Sequence, residues 1–296
     1  MSRMLAGCAL AFCLAAAAGC GRSGRRAPAA GRGTVAVLYA GSLVHLMEAS
    51  VAPAFDAASG YRFEGFAGGS QALANQIKSQ LRRADVLISA APSVDASLSG
   101  AAGGDWVRWY ATFATAPLVI GYNPKSRFAQ ALRSQPWYQV MSEPGFRLGR
   151  TDPKLDPKGE LTVQFVQAAA IYYHIPDLER QLLGSAENPA QVFPEEDLVG
   201  RLQAGQLDAG FFYSNEAKDA GIPTIPLPTA IDPAATFTIT VPRGAPDPSG
   251  ATAFVRFLLG PVGSALLRRE GLAVQVPKVS GDAAAVPAAL KSALGT

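Results

Sequence analysis

The chain has 296 residues, of which 49% are hydrophobic and 17% charged, and its formal net charge is +3. This composition is typical of a folded globular protein and excludes collagen, coiled coils and largely disordered chains. The positive charge is too small and too dispersed to favour a nucleic-acid partner. We therefore expect a large single domain or a two-lobed protein.

The amino terminus has the pattern of a targeting segment. A positive Arg3 precedes an apolar run that ends in small residues directly before Cys20. The run is shorter than the roughly 20 apolar residues that span a bilayer, so it indicates a signal peptide. The cysteine predicts a lipoprotein signal, in which residues 1–19 are removed and the Cys20 thiol carries the lipid. Ala17 stands where this signature usually has leucine, and an ordinary secretory signal cut near Ala18 stays the alternative.

Removal of residues 1–19 determines which cysteines remain available for disulfides or metal binding. Cys8 and Cys13 leave with it, and Cys20 is used by the lipid, so no disulfide or thiolate metal site is expected. Residues 20–33 are rich in Gly, Ala and Arg and predict a flexible tether. No later apolar run is long enough to cross a membrane. We expect the body in the periplasm or at the outer face of the cytoplasmic membrane, anchored through Cys20.

The first part of the body alternates strands with amphipathic helices. Short apolar segments at residues 34–39, 61–66 and 85–89 predict strands. Two helices between them carry apolar residues at helical spacing: Leu43, Leu46, Met47, Val51 and Phe55, then Leu73, Ile77 and Leu81. The resulting β-α-β-α-β order favours an α/β lobe with a largely parallel sheet.

Two longer extended runs, at residues 112–122 and 236–241, enclose a second unit. Helices are predicted inside and after that unit, at residues 157–173 and 195–203, in a short stretch after Ser214, and in an amphipathic pair at 248–270. A chain that leaves one lobe, builds another and returns crosses between them twice. Such crossings form a hinge, and ligands favour the cleft between the lobes.

This arrangement predicts the following domain boundaries. Residues 34–115 and 238–296 form a discontinuous first lobe, and residues 116–237 form the second. The signal peptide and the tether, at residues 1–19 and 20–33, precede both.

Catalytic motifs are missing from the sequence. The two histidines, His45 and His174, both lie in predicted helical runs. None of the patterns G-x-S-x-G, H-E-x-x-H or G-x-x-x-x-G-K is present. We therefore expect no enzyme and no cofactor. An anchored enzyme acting on an anionic substrate stays an alternative.

A repeated turn offers binding chemistry instead. Gly41-Ser42 and Gly69-Ser70 each follow a strand and begin a helix, with Ser42 as the predicted N-cap of the first helix. A helix start presents free N–H donors, a partial positive charge and here a hydroxyl group, which together suit an anion. Parallel strands direct both starts to one crevice. The alternative is that both serines only cap their helices.

The second predicted lobe repeats this pattern. Tyr213 ends an apolar strand, and a short helix follows it. Asp156 and Pro157 suit the N-cap and the first position of a longer helix.

In this order the motifs resemble the periplasmic molybdate/tungstate-binding proteins of ABC importers, and above all their tungstate-type branch. The resemblance implies an α/β fold of the two-lobed, type II periplasmic-binding-protein kind, each lobe a central sheet flanked by helices, joined by two crossing strands. It also implies a monomer that delivers its oxyanion to a membrane permease. The matching segments span nearly the whole body: YAGSL at 39–43, AGGS at 67–70, ADVLISA at 84–90, LVIGYNP at 118–124, residues 152–159, FFYS at 211–214, and the carboxyl-terminal helical stretch at 254–272.

The resemblance also implies roles for single residues. Ser42 and Ser70 match two hydroxyl donors of the first lobe, and Tyr213 falls at or near a ligand contact of the second. In the tungstate-type branch two carboxylates approach the metal and make it six-coordinate. Asp156 matches one of them, and Phe212 stands where we expect the other. That difference puts six-coordination in doubt.

A carboxylate beside a dianion needs an explanation. At about 4 Å and an effective dielectric of 20, an ionised Asp156 would repel a dianion by about 8 kcal/mol. Asp156 therefore ligates the metal centre, accepts a proton from the ligand, or only caps its helix. Lys158 and Arg150 can compensate the charge, although such residues are more often solvated.

Other ligands stay open. Sulfate or another oxyanion fits the same site, and Tyr172-Tyr173 resembles a pair of tyrosine ligands for ferric ion. A diverged binding protein that acts as an adaptor is a further alternative.

Overall fold

The computed structural model describes residues 31–296, so the predicted signal peptide, Cys20 and most of the tether lie outside the described residues. The strands are β1 Thr34–Ala40, β2 Arg62–Gly68, β3 Val86–Ser89, β4 Trp109–Tyr122, β5 Leu148–Thr151, β6 Val192–Phe193, β7 Ala209–Tyr213, β8 Thr224–Pro226, β9 Ala234–Thr240 and β10 Ala273–Gly281. They pair in the order β2-β1-β3-β9-β4-β7-β5-β6, and β8 and β10 also pair with β4.

Helices flank this mixed sheet. They are α1 Ala52–Ser59, α2 Ser70–Lys78, α3 Pro92–Ser97, α4 Gly100–Gly103, α5 Ala129–Ser134, α6 Trp137–Met141, α7 Pro157–Tyr172, α8 Leu178–Leu183, α9 Leu198–Gln203, α10 Ser214–Asp219, α11 Pro248–Leu259, α12 Pro261–Arg269 and α13 Ala288–Leu294. Within residues 31–296 no single helix is long and apolar enough to cross a membrane; α11 and α12, bent by 58°, pass that test only as a pair.

The first lobe has the predicted β-α-β-α-β order, with β1 parallel to both β2 and β3. Two details of its helices were predicted wrongly. A 3-10 turn at Gly41–Leu43 follows β1, so Ser42 lies inside the first turn and Ala40 is the N-cap. The second helix ends at Lys78, which leaves Leu81 81% exposed instead of buried.

The segment between β1 and α1 is irregular. A π-helix, Leu46–Val51, precedes α1 and buries Leu46, Met47 and Val51 against the sheet. Its apolar residues satisfy the helical spacing, but spacing alone does not distinguish a π-turn from an α-helix.

Strand β4 connects the two halves of the sheet. Up to Pro117 it pairs with β9, and from Leu118 onward it pairs with β7. This change of partner supports a crossing near the predicted boundary. The division into residues 34–115 with 238–296 and 116–237 stays a prediction.

The second lobe packs α7 against β7. Phe165 and Val166 of α7 are buried with Phe211 in the main core. Asp156 caps α7 and Pro157 is its first residue, as predicted. The prediction that both histidines lie inside helices was wrong for His174, which follows the end of α7 with a φ of 58°.

Candidate functional site

The two lobes contact each other directly across the cleft. The backbone N–H of Ala72 donates to the carbonyl of Leu155 at 3.0 Å, and Asn215 Nδ2 donates to the carbonyl of Ser42 at 3.0 Å. Cavities of about 350 and 400 Å³ lie between the lobes, and Glu195 lines both. Glu195 therefore lies inside the contact between the two lobes.

The first predicted turn lies at the centre of this contact. Ser42 is 4% exposed, and its Oγ has no hydrogen-bond partner. A side chain at Gly41 would overlap Oε2 of Glu195, so glycine lets the carboxylate lie directly on the backbone. The prediction that Ser42 caps a helix was wrong, and its buried hydroxyl is free to donate to a ligand.

The second predicted turn also contacts the opposite lobe closely. A Cβ at Gly69 would lie 2.6 Å from the carbonyl oxygen of Leu155 and 3.3 Å from Cβ of Asp156. Ser70 is fully buried, and its Oγ accepts a hydrogen bond from the Ala90 backbone at 3.1 Å. This accepting role leaves the hydroxyl hydrogen of Ser70 free for another acceptor.

Asp156 lies against this turn and caps α7. Its Oδ1 accepts hydrogen bonds from the Lys158 backbone and from Thr151 Oγ1, both at 2.9 Å. Burial raises the pKa of Asp156 above its usual value, and the nearby Lys158 charge together with hydrogen bonds from Thr151, Lys158 and the Ser70 backbone opposes that rise. The capping interpretation is therefore correct for Oδ1, and the same carboxyl group also meets the Ser70 turn of the other lobe.

An ion-paired cluster lies beside Asp156, and of its members the sequence analysis named only Lys158. The ammonium of Lys158 is fully buried and contacts Glu195 Oε1 at 2.9 Å and the two carboxylate oxygens of Glu216 at 3.0 and 2.8 Å. The other oxygen of Glu195, Oε2, is buried and has no hydrogen-bond partner. It is this oxygen that lies on Gly41.

Burial and the neighbouring charges both shift the pKa values of the groups in this cluster. Burial by itself lowers the pKa of Lys158, but Glu195, Glu216 and Asp156 raise it above its usual value, so the ammonium stays charged. Burial raises the pKa of Glu195 to about 8; Lys158 opposes this shift, while Glu216 and Asp156 add to it.

Tyr213 completes the second-lobe side of the cleft. It is 1% exposed, its hydroxyl has no partner, and its backbone N–H donates to Glu216 Oε2 at 3.3 Å. Burial and the nearby carboxylates of Asp156, Glu195 and Glu216 raise its pKa, so the hydroxyl keeps its proton and can donate it.

The carboxylate that we expected at position 212 comes from elsewhere. Phe212 packs in an apolar cluster with Leu198, Leu202 and Ile222. Glu195 instead presents a carboxylate in the cleft, where it lines the same cavity as Asp156. In the sequence it begins the acidic run Glu195–Asp197 at a helix start, where acidic residues are common for their interaction with the helix dipole, so the run gave no signal of its own.

The two basic residues near Asp156 are both buried, contrary to their expected exposure. Arg150 donates to the carbonyls of Ser185 and Ala186, which orders the segment before β6. Lys158 alone of these two enters the cluster.

Ferric ion finds little support in this geometry. Tyr172 and Tyr173 end α7, whose 16 residues span about 24 Å, and Tyr173 packs on Trp137 and Tyr138. No group of three His, Cys, Asp or Glu residues in the described part of the chain is arranged to hold a metal ion. In the cleft, an ammonium already occupies the space between the carboxylates.

The family of bacterial extracellular solute-binding proteins matches residues 35–273. The chain belongs to this family. The expectation that it is not an enzyme is thereby confirmed.

The names of two similar proteins refer to molybdenum, molybdate or tungstate. It is 36% identical over 241 residues, 78% of this chain and 72% of the relative, to a provisionally named ABC transporter molybdenum-binding protein of Haloferax volcanii. It is 25% identical over 224 residues, 60% of this chain and 65% of the relative, to the molybdate/tungstate-binding protein of Pyrococcus abyssi.

A solved structure matches the architecture of this solute-binding protein. The periplasmic molybdate-binding protein of Azotobacter vinelandii superposes with a TM-score of 0.61 at 18% identity, covering 81% of this chain and 99% of that one. The predicted α/β, two-lobed, type II fold is confirmed. The cleft described above therefore lies where the two lobes of a solute-binding protein meet.

Proposed function

We propose that this solute-binding protein binds molybdate or tungstate in the cleft between its lobes and delivers it, as a monomer, to the membrane permease of an ABC importer. One observation carries the proposal: the hydroxyls of Ser42 and Tyr213 and Oε2 of Glu195 are buried in the closed cleft without partners. Buried polar atoms are rarely left unpaired, so an unpaired set at one cleft indicates a polar ligand. The names of the relatives support the choice of oxyanion.

The donors and acceptors fit such an anion in different ways. Ser42, Ser70 and Tyr213 donate hydrogen bonds to the oxo groups, with Gly41 and Gly69 allowing close approach of the backbone. Asp156 and Glu195 present carboxylate oxygens, which repel an anion unless they bond to its central atom. Molybdenum and tungsten accept further oxygen ligands, whereas the sulfur of sulfate does not. We infer that the two carboxylates raise the coordination of the bound metal centre to six.

A ligand panel tests the function. Titration calorimetry and thermal unfolding are measured with molybdate, tungstate, sulfate, phosphate and ferric ion. A ligand at a hundredfold excess over its Kd stabilises the fold by about 2.7 kcal/mol. We expect molybdate or tungstate to bind most tightly. The proposal fails if neither anion raises the unfolding temperature.

Ser42→Ala and Tyr213→Phe should each weaken oxyanion binding about tenfold or more, because each removes a hydrogen bond to a charged group, which contributes about 1.5–3 kcal/mol. Calorimetry measures the change. Ser134→Ala, which removes an exposed hydroxyl on α5, is the control. Unchanged affinity in both cleft variants would show that the anion binds elsewhere.

We also propose that Cys20 anchors the protein in the membrane by its lipid. Cys20→Ala should move the chain from the membrane fraction to the soluble fraction of cells, measured by immunoblotting. Retention of the variant in membranes would contradict the anchor.

A further inference from the structure

The oxyanion site contains one ammonium group and an excess of carboxylates. Lys158 Nζ is buried among Glu195 and Glu216, and Asp156 lies two residues before it. If all are ionised, the cleft is negative before a dianion enters. A dianion adds two more negative charges to a volume in which charge is poorly screened. Without Lys158 the repulsion would act undiminished.

Lys158 also determines where the Glu195 carboxylate lies. The ammonium holds Oε1 of Glu195 and leaves Oε2 unpartnered on Gly41. Glu216 is held in turn by its own helix, because its Oε2 accepts the Tyr213 backbone N–H at 3.3 Å. The chain of contacts therefore runs from the start of α10 through Lys158 to Glu195.

The position of Lys158 in the fold supports this role. It is the second residue of α7, two positions after the Asp156 cap, and its backbone is fixed by the hydrogen bond from its N–H to Asp156. Its ammonium lies 5.6 and 5.7 Å from the ring centres of Phe212 and Tyr213, which close it off from water. These contacts therefore fix the position of the Lys158 ammonium charge.

We propose that Lys158 is a positioning residue of the oxyanion site that neutralises the Glu195–Glu216 pair, holds Glu195 Oε2 toward the anion, and makes the cleft selective for doubly charged over singly charged tetrahedral anions. This inference rests on the proposed function. It assigns the charge preference of the site to a residue that need not touch the anion.

The experiment uses the wild type and three variants: Lys158→Met, Glu216→Gln, and the double variant Lys158→Met/Glu216→Gln, which restores the balance of charge. Each is titrated calorimetrically with tungstate, a dianion, and with perrhenate, a tetrahedral monoanion. Circular dichroism and thermal unfolding check that each variant is folded.

Coulombic energy scales with the charge of the anion. Lys158→Met should therefore weaken tungstate binding about 100-fold and perrhenate binding only about tenfold. Glu216→Gln should strengthen tungstate binding, since it removes a negative charge and leaves the ammonium in place. The double variant should bind tungstate within about tenfold of the wild type.

Several results would overturn the inference. One is wild-type affinity for tungstate in Lys158→Met. Another is an equal loss for tungstate and perrhenate, which would indicate a structural defect. If Lys158→Met does not fold, the tungstate titration of Glu216→Gln tests the inference alone. Weaker tungstate binding in that variant would contradict the charge argument. Failure of the wild type to bind any oxyanion would instead reject the proposed function, a result that the first titration distinguishes.

Discussion

Replacing Gly69 by alanine should weaken oxyanion binding on the order of 100-fold, because the new methyl group would prevent the lobes from closing. The added Cβ would lie 2.6 Å from the backbone carbonyl of Leu155, which cannot turn away as a side chain can. The same carbonyl accepts the interlobe hydrogen bond from Ala72. Gly69 has a φ of −57°, so alanine introduces no backbone strain of its own.

Calorimetry measures the loss of affinity, and small-angle scattering measures whether the ligand still compacts the protein. Gly68→Ala is the matched control, since a Cβ there would meet only the Leu73 side chain, at 3.4 Å. We expect the control to bind and compact as the wild type does. Unchanged affinity of Gly69→Ala without compaction would show that the closed cleft is not the binding state, and full compaction with unchanged affinity would show that the added methyl group does not block closure.

Above the pKa of about 8 that burial gives Glu195, where its carboxylate is ionised, Glu195→Gln should lower the ratio of tungstate to sulfate affinity on the order of 100-fold. A neutral amide is a poorer ligand for a metal centre than a carboxylate, so tungstate loses a bond. Sulfate makes no such bond and gains from the loss of a negative charge. The side chain keeps its shape and its position on Gly41, so packing in the cleft changes little.

Competitive titration of tungstate against sulfate measures this ratio. Glu196→Gln removes the same charge from the next residue, which is exposed, and should leave the ratio unchanged. An equal change of both affinities in Glu195→Gln would mean that Glu195 contributes only charge. X-ray absorption of tungstate bound to the wild type would then be expected to show fewer than six oxygen ligands.

Local sequence patterns predicted the elements well where the side chains themselves carry the signal. The apolar runs that became β1, β4 and β7 were recognisable, and so was the Asp156-Pro157 start of α7. β10 was not predicted, because its exposed and half-buried residues have no apolar alternation, and its pairing with β4 provides the order.

The candidate site was predictable only in part. Ser42, Ser70, Asp156 and Tyr213 stand at turns whose chemistry is visible in the sequence, and the structure buries all four side chains. Phe212 stands where the resemblance places a second carboxylate, and it packs in an apolar cluster of the second lobe.

The sequence by itself determined the fold class, the paired glycine-serine turns and the hydroxyl groups offered to an anion, because these follow from short-range propensities and from strand-turn-helix order. Only the tertiary structure decided which charges meet them. Lys158 and Glu195 are 37 residues apart, and Glu216 lies 58 residues from Lys158. Their ion pairs form because the fold of the second lobe brings the first residues of three separate helices close together in space. Electrostatic energy depends on distance in space and on burial, which separation along the chain does not specify.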